Sequence, residues 1–218
     1  MRNKLSRFKD NEERRNVVQA GKPIFETIKG NWSQFFENDN PIIFELGCGR
    51  GEYTIGLARR FPDNNYVGVD VKGARIWKGS SVAVEEQLEN VAFLRLRILE
   101  IEQQVAENEL SEIWITFPDP RPKKKDIKRR LTSERFMNIY KKLLKPGGIV
   151  HFKTDNAPLF EFTLDLLNAR QDIENLEYTW DYHASLYKDE LPDIVTKYEE
   201  KFMKEGYKIK YLRFSFPK

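Results

Sequence analysis

The sequence predicts an α/β fold: a mainly parallel sheet with helices on both faces. Two observations predict it. Short apolar runs alternate with stretches of helical spacing from residue 42 onward, and the first two runs end in a glycine-rich turn and an acid respectively.

The elements follow in order. Residues 1–22 lack apolar periodicity and read as a flexible basic arm, leaving 23–218 as a single domain. Ile24, Phe25, Ile28, Trp32, Phe35 and Phe36 recur at helical spacing, so Pro23–Glu37 is expected to be one amphipathic helix opened by proline. Strands are expected at 42–46, 66–70, 91–97, 112–117, 149–154, 176–183 and 208–216, which makes seven. Helices are expected at 52–61, 73–88, from about 132, across 159–169 and at 196–204. The helix after 132 should stop at Lys145-Pro146-Gly147-Gly148, because proline cannot extend it and glycine supplies positive φ.

Composition narrows the function. One cysteine excludes a disulfide framework and points to a reducing, cytoplasmic setting. With only His151 and His183 beside Cys48, a Cys/His metal cluster cannot be assembled, so no metal is expected. No apolar run approaches membrane-spanning length. Net charge is +3, unevenly spread: Arg121–Arg130 carries +6 and residues 1–22 carry +4, which leaves the rest of the chain at −7. Two basic segments on an acidic body suggest a polyanionic partner, although a single run of this kind is often only a solvated face.

The first expected strand runs into Glu45-Leu46-Gly47-Cys48-Gly49-Arg50-Gly51. Glycines at 47, 49 and 51 let the backbone turn sharply and pass close to a ligand. A dinucleotide fingerprint would place its third glycine where Glu52 stands, and a P-loop lysine is missing. Glu45 would repel a pyrophosphate but suits a sulfonium cation bearing an α-amino group. Asp70, ending the second strand, stands where an acid can accept hydrogen bonds from ribose hydroxyls. Together these point to a nucleoside cofactor. Cys48 reads as a small residue filling the turn.

The fourth strand ends in Phe117-Pro118-Asp119-Pro120-Arg121-Pro122, followed by Lys123, Lys124, Lys125, Lys128, Arg129 and Arg130. Three prolines stiffen the turn and hold Asp119 near the cofactor site, with phosphate-seeking cations just beyond. The segment EIWITFPDPRPKKKDIKRRL resembles the signature of the bacterial tRNA (guanine-N7-)-methyltransferases. The resemblance continues through Thr154-Asp155 and Thr196-Lys197-Tyr198-Glu199 to Gly206, covering roughly residues 40–216 in the same order.

That resemblance implies a Rossmann-like methyltransferase fold, S-adenosylmethionine as cofactor, and methylation of guanine 46 in the tRNA variable loop. It places cofactor contacts on Glu45, Asp70, Arg97 and Asp119, beside the glycines at 47, 49 and 51, with Asp119 also in the active site. Substrate contacts fall on Lys123, Asp155, Thr196, Tyr198 and Glu199, and the RNA-interacting stretch on Lys124, Lys125, Lys128, Arg129 and Arg130. On the residues alone, Thr196–Glu199 also reads as a helix N-cap. Two positions depart from the usual family pattern: Arg121 replaces a tryptophan, and Arg97 replaces an Asp or Asn that could accept from an adenine amino group. The alternatives are a methyltransferase for another RNA base, a protein or a small molecule, and a non-catalytic RNA-binding module. A monomer or homodimer is expected.

Overall fold

The computed structural model describes residues 4–191 and 194–217. Its elements are α1 (Lys4–Glu13), β1 (Val17–Gln19), α2 (Pro23–Thr27), α3 (Trp32–Phe36), β2 (Ile42–Leu46), α4 (Glu52–Arg60), β3 (Asn65–Asp70), α5 (Gly73–Glu85), β4 (Val91–Arg95) and β5 (Leu110–Thr116). They continue with α6 (Glu134–Leu143), β6 (Leu144–Thr154), α7 (Ala157–Ala169), β7 (Glu174–Thr179), α8 (Tyr187–Glu190), α9 (Lys197–Lys204) and β8 (Lys210–Ser215). Short 3-10 turns occupy Ile98–Gln103, Lys124–Arg129 and Tyr182–Ala184.

The strands form one sheet in the order β1-β4-β3-β2-β5-β6-β8-β7. Pairing is parallel from β1 to β6 and antiparallel where β8 meets β6 and β7. From β2 the chain steps outward through β3 to β4, then returns to lay β5 and β6 on the other side of β2. The strand order therefore reverses between β2 and β5, and a crevice opens at their carboxyl ends. Right-handed crossovers put helices on opposite faces for the two directions of travel. The buried residues separate accordingly. Trp32, Phe36, Phe136, Tyr140 and Phe160 belong to one core cluster under α3, α6 and α7. Tyr53, Leu57, Ile76 and Ala83 belong to a second under α4 and α5.

Three expectations are corrected. The sheet has eight strands among the described residues rather than seven, because β1 pairs in parallel with β4, Val17 opposite Phe93. The segment expected as an arm thus carries α1 and β1 within residues 4–22; residues 1–3 of that expectation lie outside the described residues. What binds α1 is polar and cationic, so no apolar stripe announces it. The Trp77 indole donates to Asp10 (2.7 Å), Asn11 donates to the Gly73 carbonyl (2.9 Å), and the Arg7 guanidinium lies 5.0 Å from the Trp77 ring centre.

The helix expected over Pro23–Glu37 is two helices, α2 and α3. Gly30 adopts φ +75° between them, and Glu109 accepts from the backbone N–H groups of Gly30 and Trp32 (both 3.1 Å). A carboxylate far along the chain thus satisfies the donors that the break exposes. Finally, the strand expected over 176–183 ends at Thr179 and passes into the turn at Tyr182–Ala184. No helix among the described residues is long and apolar enough to cross a membrane.

Candidate active site

The crevice is built first by the glycine loop. The Gly47 and Cys48 N–H groups both donate to the Val69 carbonyl (2.8 and 3.0 Å), which folds the loop back over the end of β3. Asp70, only 8% exposed, then accepts from Gly49 N–H (3.1 Å) and Lys72 N–H (2.7 Å). Gly51 opens α4 with φ +74°, and a Cβ there would lie 2.5 Å from the Phe93 ring. Gly49 has φ +57° but nothing within 4 Å of its missing Cβ, so its bare face looks into open space. Cys48 is buried, and burial, then Glu45 and Asp70, push its thiol well above the usual range, in keeping with a filler of the turn.

Glu45 stands at the end of β2 with 3% exposure. Its carboxylate accepts from the Thr116 hydroxyl (2.6 Å), from Thr54 N–H (2.8 Å) and from the Thr54 hydroxyl. Burial raises its pKa, and the hydrogen bonds pull it back. These threonines come from α4 and β5, so one carboxylate ties both walls of the switch point together. Above it lies a cavity of about 450 Å³ lined by Glu45, Gly47, Gly49, Arg75, Phe117 and Tyr198, among others.

Beyond β5 the chain enters the Pro-Asp-Pro turn. Phe117 (φ +48°) and Arg121 (φ +44°) bracket it in the left-handed region. The Asp119 side chain is 67% exposed, two residues past Phe117 of the cavity wall. It accepts from Arg121 N–H (3.1 Å), and the Arg121 guanidinium stands 3.8 Å away. Arg130 reaches back to close the turn. Its Nε donates to the Pro120 carbonyl (3.1 Å), its Nη2 to the Arg121 carbonyl (3.3 Å), and its guanidinium covers the Phe162 ring at 4.4 Å. Lys123, Lys124, Lys125 and Lys128 are exposed, and Arg129 pairs with Asp126 (3.2 Å).

The opposite wall comes from the start of α9. Thr196 caps that helix, accepting from Glu199 N–H (3.1 Å). Tyr198 packs its ring 5.2 Å from that of Phe117 and donates to Asp155 (3.4 Å); burial, then the Asp155 charge, push its hydroxyl up to about 12. Glu199 faces inward with no exposure, its carboxylate held by Lys153 Nζ (2.9 Å) and His183 Nε2 (3.0 Å). Arg97 is exposed at the head of the first 3-10 turn and does not line the cavity.

Glu45, Gly47, Gly49, Thr196 and Tyr198 line one cavity, Asp70 touches it through Gly49 and Asp155 through Tyr198, and Gly51 lines a neighbouring groove instead. Asp119 is at the cavity's edge, and Arg97 and the lysines of the basic segment lie outside its lining. Thr116, Phe117 and Arg75 line the cavity and Thr54 binds Glu45 beneath it, positions that sequence reasoning misses. Only the fold reveals them, since nothing local marks a threonine that will meet Glu45 71 residues away. Among the described residues, no group of three or more His, Cys, Asp or Glu side chains is placed to hold a metal.

A family described as "Putative methyltransferase" matches residues 39–212. The tRNA (guanine-N(7)-)-methyltransferase of Cytophaga hutchinsonii is 48% identical over 99% of this chain and 98% of its own, and that of Christiangramia forsetii is 48% identical over 98% and 97%. The chain belongs to the tRNA (guanine-N7-)-methyltransferase family.

Membership gives the Pro-Asp-Pro turn and the Thr196–Glu199 segment a common context, because both flank the glycine-loop cavity. Solved structures agree on the architecture. The 16S rRNA methyltransferase KamB superposes with a TM-score of 0.61 at 14% identity, covering 87% of this chain and 94% of that one. A structure titled an antibiotic-related methyltransferase gives 0.60 at 16% identity, covering 86% and 93%. At such identities the likeness is one of fold: a Rossmann-like methyltransferase sheet with helices on both faces.

Proposed function

We propose that this enzyme uses S-adenosylmethionine to methylate N7 of a guanine in tRNA, at position 46 of the variable loop, in the cytoplasm. The observation that carries the reading is the 48% identity to tRNA (guanine-N(7)-)-methyltransferases along almost the whole chain, joined to a cavity whose chemistry suits that donor. Two acids, Glu45 and Asp70, stand at the ends of adjacent strands, and Gly49 leaves its bare face open. Such a cradle accepts ribose hydroxyls and a cationic amino-acid portion and disfavours a pyrophosphate.

When bound, the cofactor supplies a methyl group on a positively charged sulfur. Guanine N7 is an unprotonated acceptor on the Hoogsteen edge, so its lone pair can attack without loss of a proton. No general base is needed. The protein's task is to align the two reactants and to surround the migrating positive charge with negative potential. Asp119, held by the Arg121 N–H, and Asp155, held by the Tyr198 hydroxyl, supply that potential from two walls. Neutral guanine also offers N1–H and N2–H₂ donors, which Asp155 can accept at the mouth. Glu199 serves the segment from beneath, anchoring it to Lys153 and His183.

The test is incubation with labelled S-adenosylmethionine and unmodified tRNA, followed by nucleoside analysis. The label should appear in 7-methylguanosine; label in any other nucleoside, or none in tRNA, would overturn the reading. In single-turnover assays, Asp119→Asn and Asp119→Ala should lose turnover by about 10²-fold or more, Ala the more severe, with tRNA affinity nearly unchanged. Near-normal transfer by Asp119→Ala would move the catalytic role to Asp155.

A further inference from the structure

Beside the cofactor cavity lies a second, larger groove of about 1000 Å³, and it is basic. It begins at Arg50, Glu52 and Lys197, which line both spaces, and runs between α4 and α5 to Arg59, Arg60 and Lys78. Its lining holds five cationic residues and two acids. The acids are already engaged: Glu52 accepts from Lys197 N–H (2.8 Å), and Glu200 pairs with Lys204 (2.6 Å). Arg59 is engaged as well, with Glu86 (2.7 Å). Arg50, Arg60, Lys78 and Lys197 are exposed, and their side chains enter no ion pair among the described residues.

This charge sits in a part of the chain that is otherwise acidic. Outside the two basic sequence segments the net charge is −7, and the groove holds a surplus of +3 within that total. A local excess of cations lining a concave surface focuses potential there and draws in a polyanion. The groove also lies on the α4–α5 face of the sheet, whereas the Lys124–Arg129 turn leads into α6 on the other face. The two basic surfaces therefore approach the crevice from opposite sides.

We propose that the α4–α5 groove is a second binding surface for the sugar–phosphate backbone of the tRNA, holding the strand on the side of the target guanine opposite the Lys124–Arg129 turn. The inference rests on the tRNA reading given above. Phosphate contacts position a nucleic acid without reading its sequence, and each one adds to the salt dependence of binding. Two such surfaces hold the strand across the crevice and present one base between them.

Arg60 and Lys78 test this cleanly, because both line the groove but not the cofactor cavity. tRNA affinity of the wild type and of Arg60→Ala/Lys78→Ala is measured over a series of salt concentrations. The double variant should bind tRNA about tenfold more weakly at low salt, and its log–log salt slope should be shallower by about 2. Its S-adenosylmethionine affinity by calorimetry, its melting temperature and its kcat at saturating tRNA should stay at wild-type values. Arg60→Glu/Lys78→Glu should weaken binding further. A double variant with the wild-type slope and affinity overturns the groove while leaving the tRNA reading intact. A wild-type protein with no salt-dependent tRNA binding overturns both.

Discussion

Arg129 and Arg130 are neighbours in one basic run, yet the structure gives them different surroundings. Among the described residues Arg129 pairs only with Asp126 at the surface, whereas Arg130 donates to the carbonyls of Pro120 and Arg121 over the ring of Phe162. A guanidinium fixed at two carbonyls acts on the turn that carries Asp119, and the planar fork is what a lysine cannot reproduce. Arg130→Ala and Arg130→Lys should therefore both lower kcat, by about tenfold for one decade of misplaced geometry, and keep the wild-type salt slope for tRNA. Arg129→Ala should keep kcat and lose about one unit of slope. Equal effects of the two arginines on the slope would show that Arg130 works as a phosphate contact. Glycines separate in the same way. Gly51→Ala forces a Cβ to within 2.5 Å of Phe93 at positive φ and should cost roughly 3 kcal/mol of stability in denaturant melts. Gly49→Ala meets nothing in the fold, so its cost should be about 1 kcal/mol, with the larger effect on S-adenosylmethionine affinity.

At the scale of elements, the ends of helices are tied down by charges that leave a pH signature. Asp172, after α7, takes two hydrogen bonds from Arg170 (2.8 and 2.9 Å) and one from Lys141 of α6 (2.9 Å). Arg170 above all holds its carboxyl at about 2, below the ordinary 3.8. A carboxyl depressed in the folded state stabilises fully above its unfolded pKa and loses that contribution as pH falls through the folded one. The stability gap between wild type and Asp172→Asn should then be on the order of 1 kcal/mol at neutral pH, allowing for solvent screening of a partly exposed pair, and should close between about pH 4 and pH 2. Denaturant melts across that range would show it; a gap constant with pH would mean that the amide disturbs packing rather than charge.

Across the whole molecule, what was legible in the sequence is what short-range pattern controls. The strands β2 to β6 carry apolar runs because both faces of a parallel sheet are buried, and such runs are conspicuous. The glycine loop and Asp70 were legible because backbone geometry demands particular residues at fixed spacing. The Pro-Asp-Pro turn was legible because it resembles a known signature. What escaped depends on partners distant in the chain. Glu109 splitting α2 from α3, Thr116 reaching Glu45, and Glu199 turned inward to Lys153 are contacts between residues 46 to 79 positions apart. A polar helix such as α1, docked through an indole and arginines, has no periodic apolar stripe to read.

The edge pairing of β1 with β4 carries a consequence for how the chain folds as it is made. Val17–Gln19 must wait for Phe93–Arg95, and α1 for Trp77. At ordinary rates of synthesis that interval is on the order of ten seconds, during which the early segment has local contacts such as Lys22 to the Val17 carbonyl but no partner strand. The edge it finally covers belongs to a sheet whose inner strands pair closer in sequence, so β1 closes the fold rather than nucleating it. Ribosome-bound chains stopped before residue 91 should leave the amide of Val18, at the middle of β1, open to hydrogen exchange, and chains extended beyond β4 and clear of the exit tunnel should protect it.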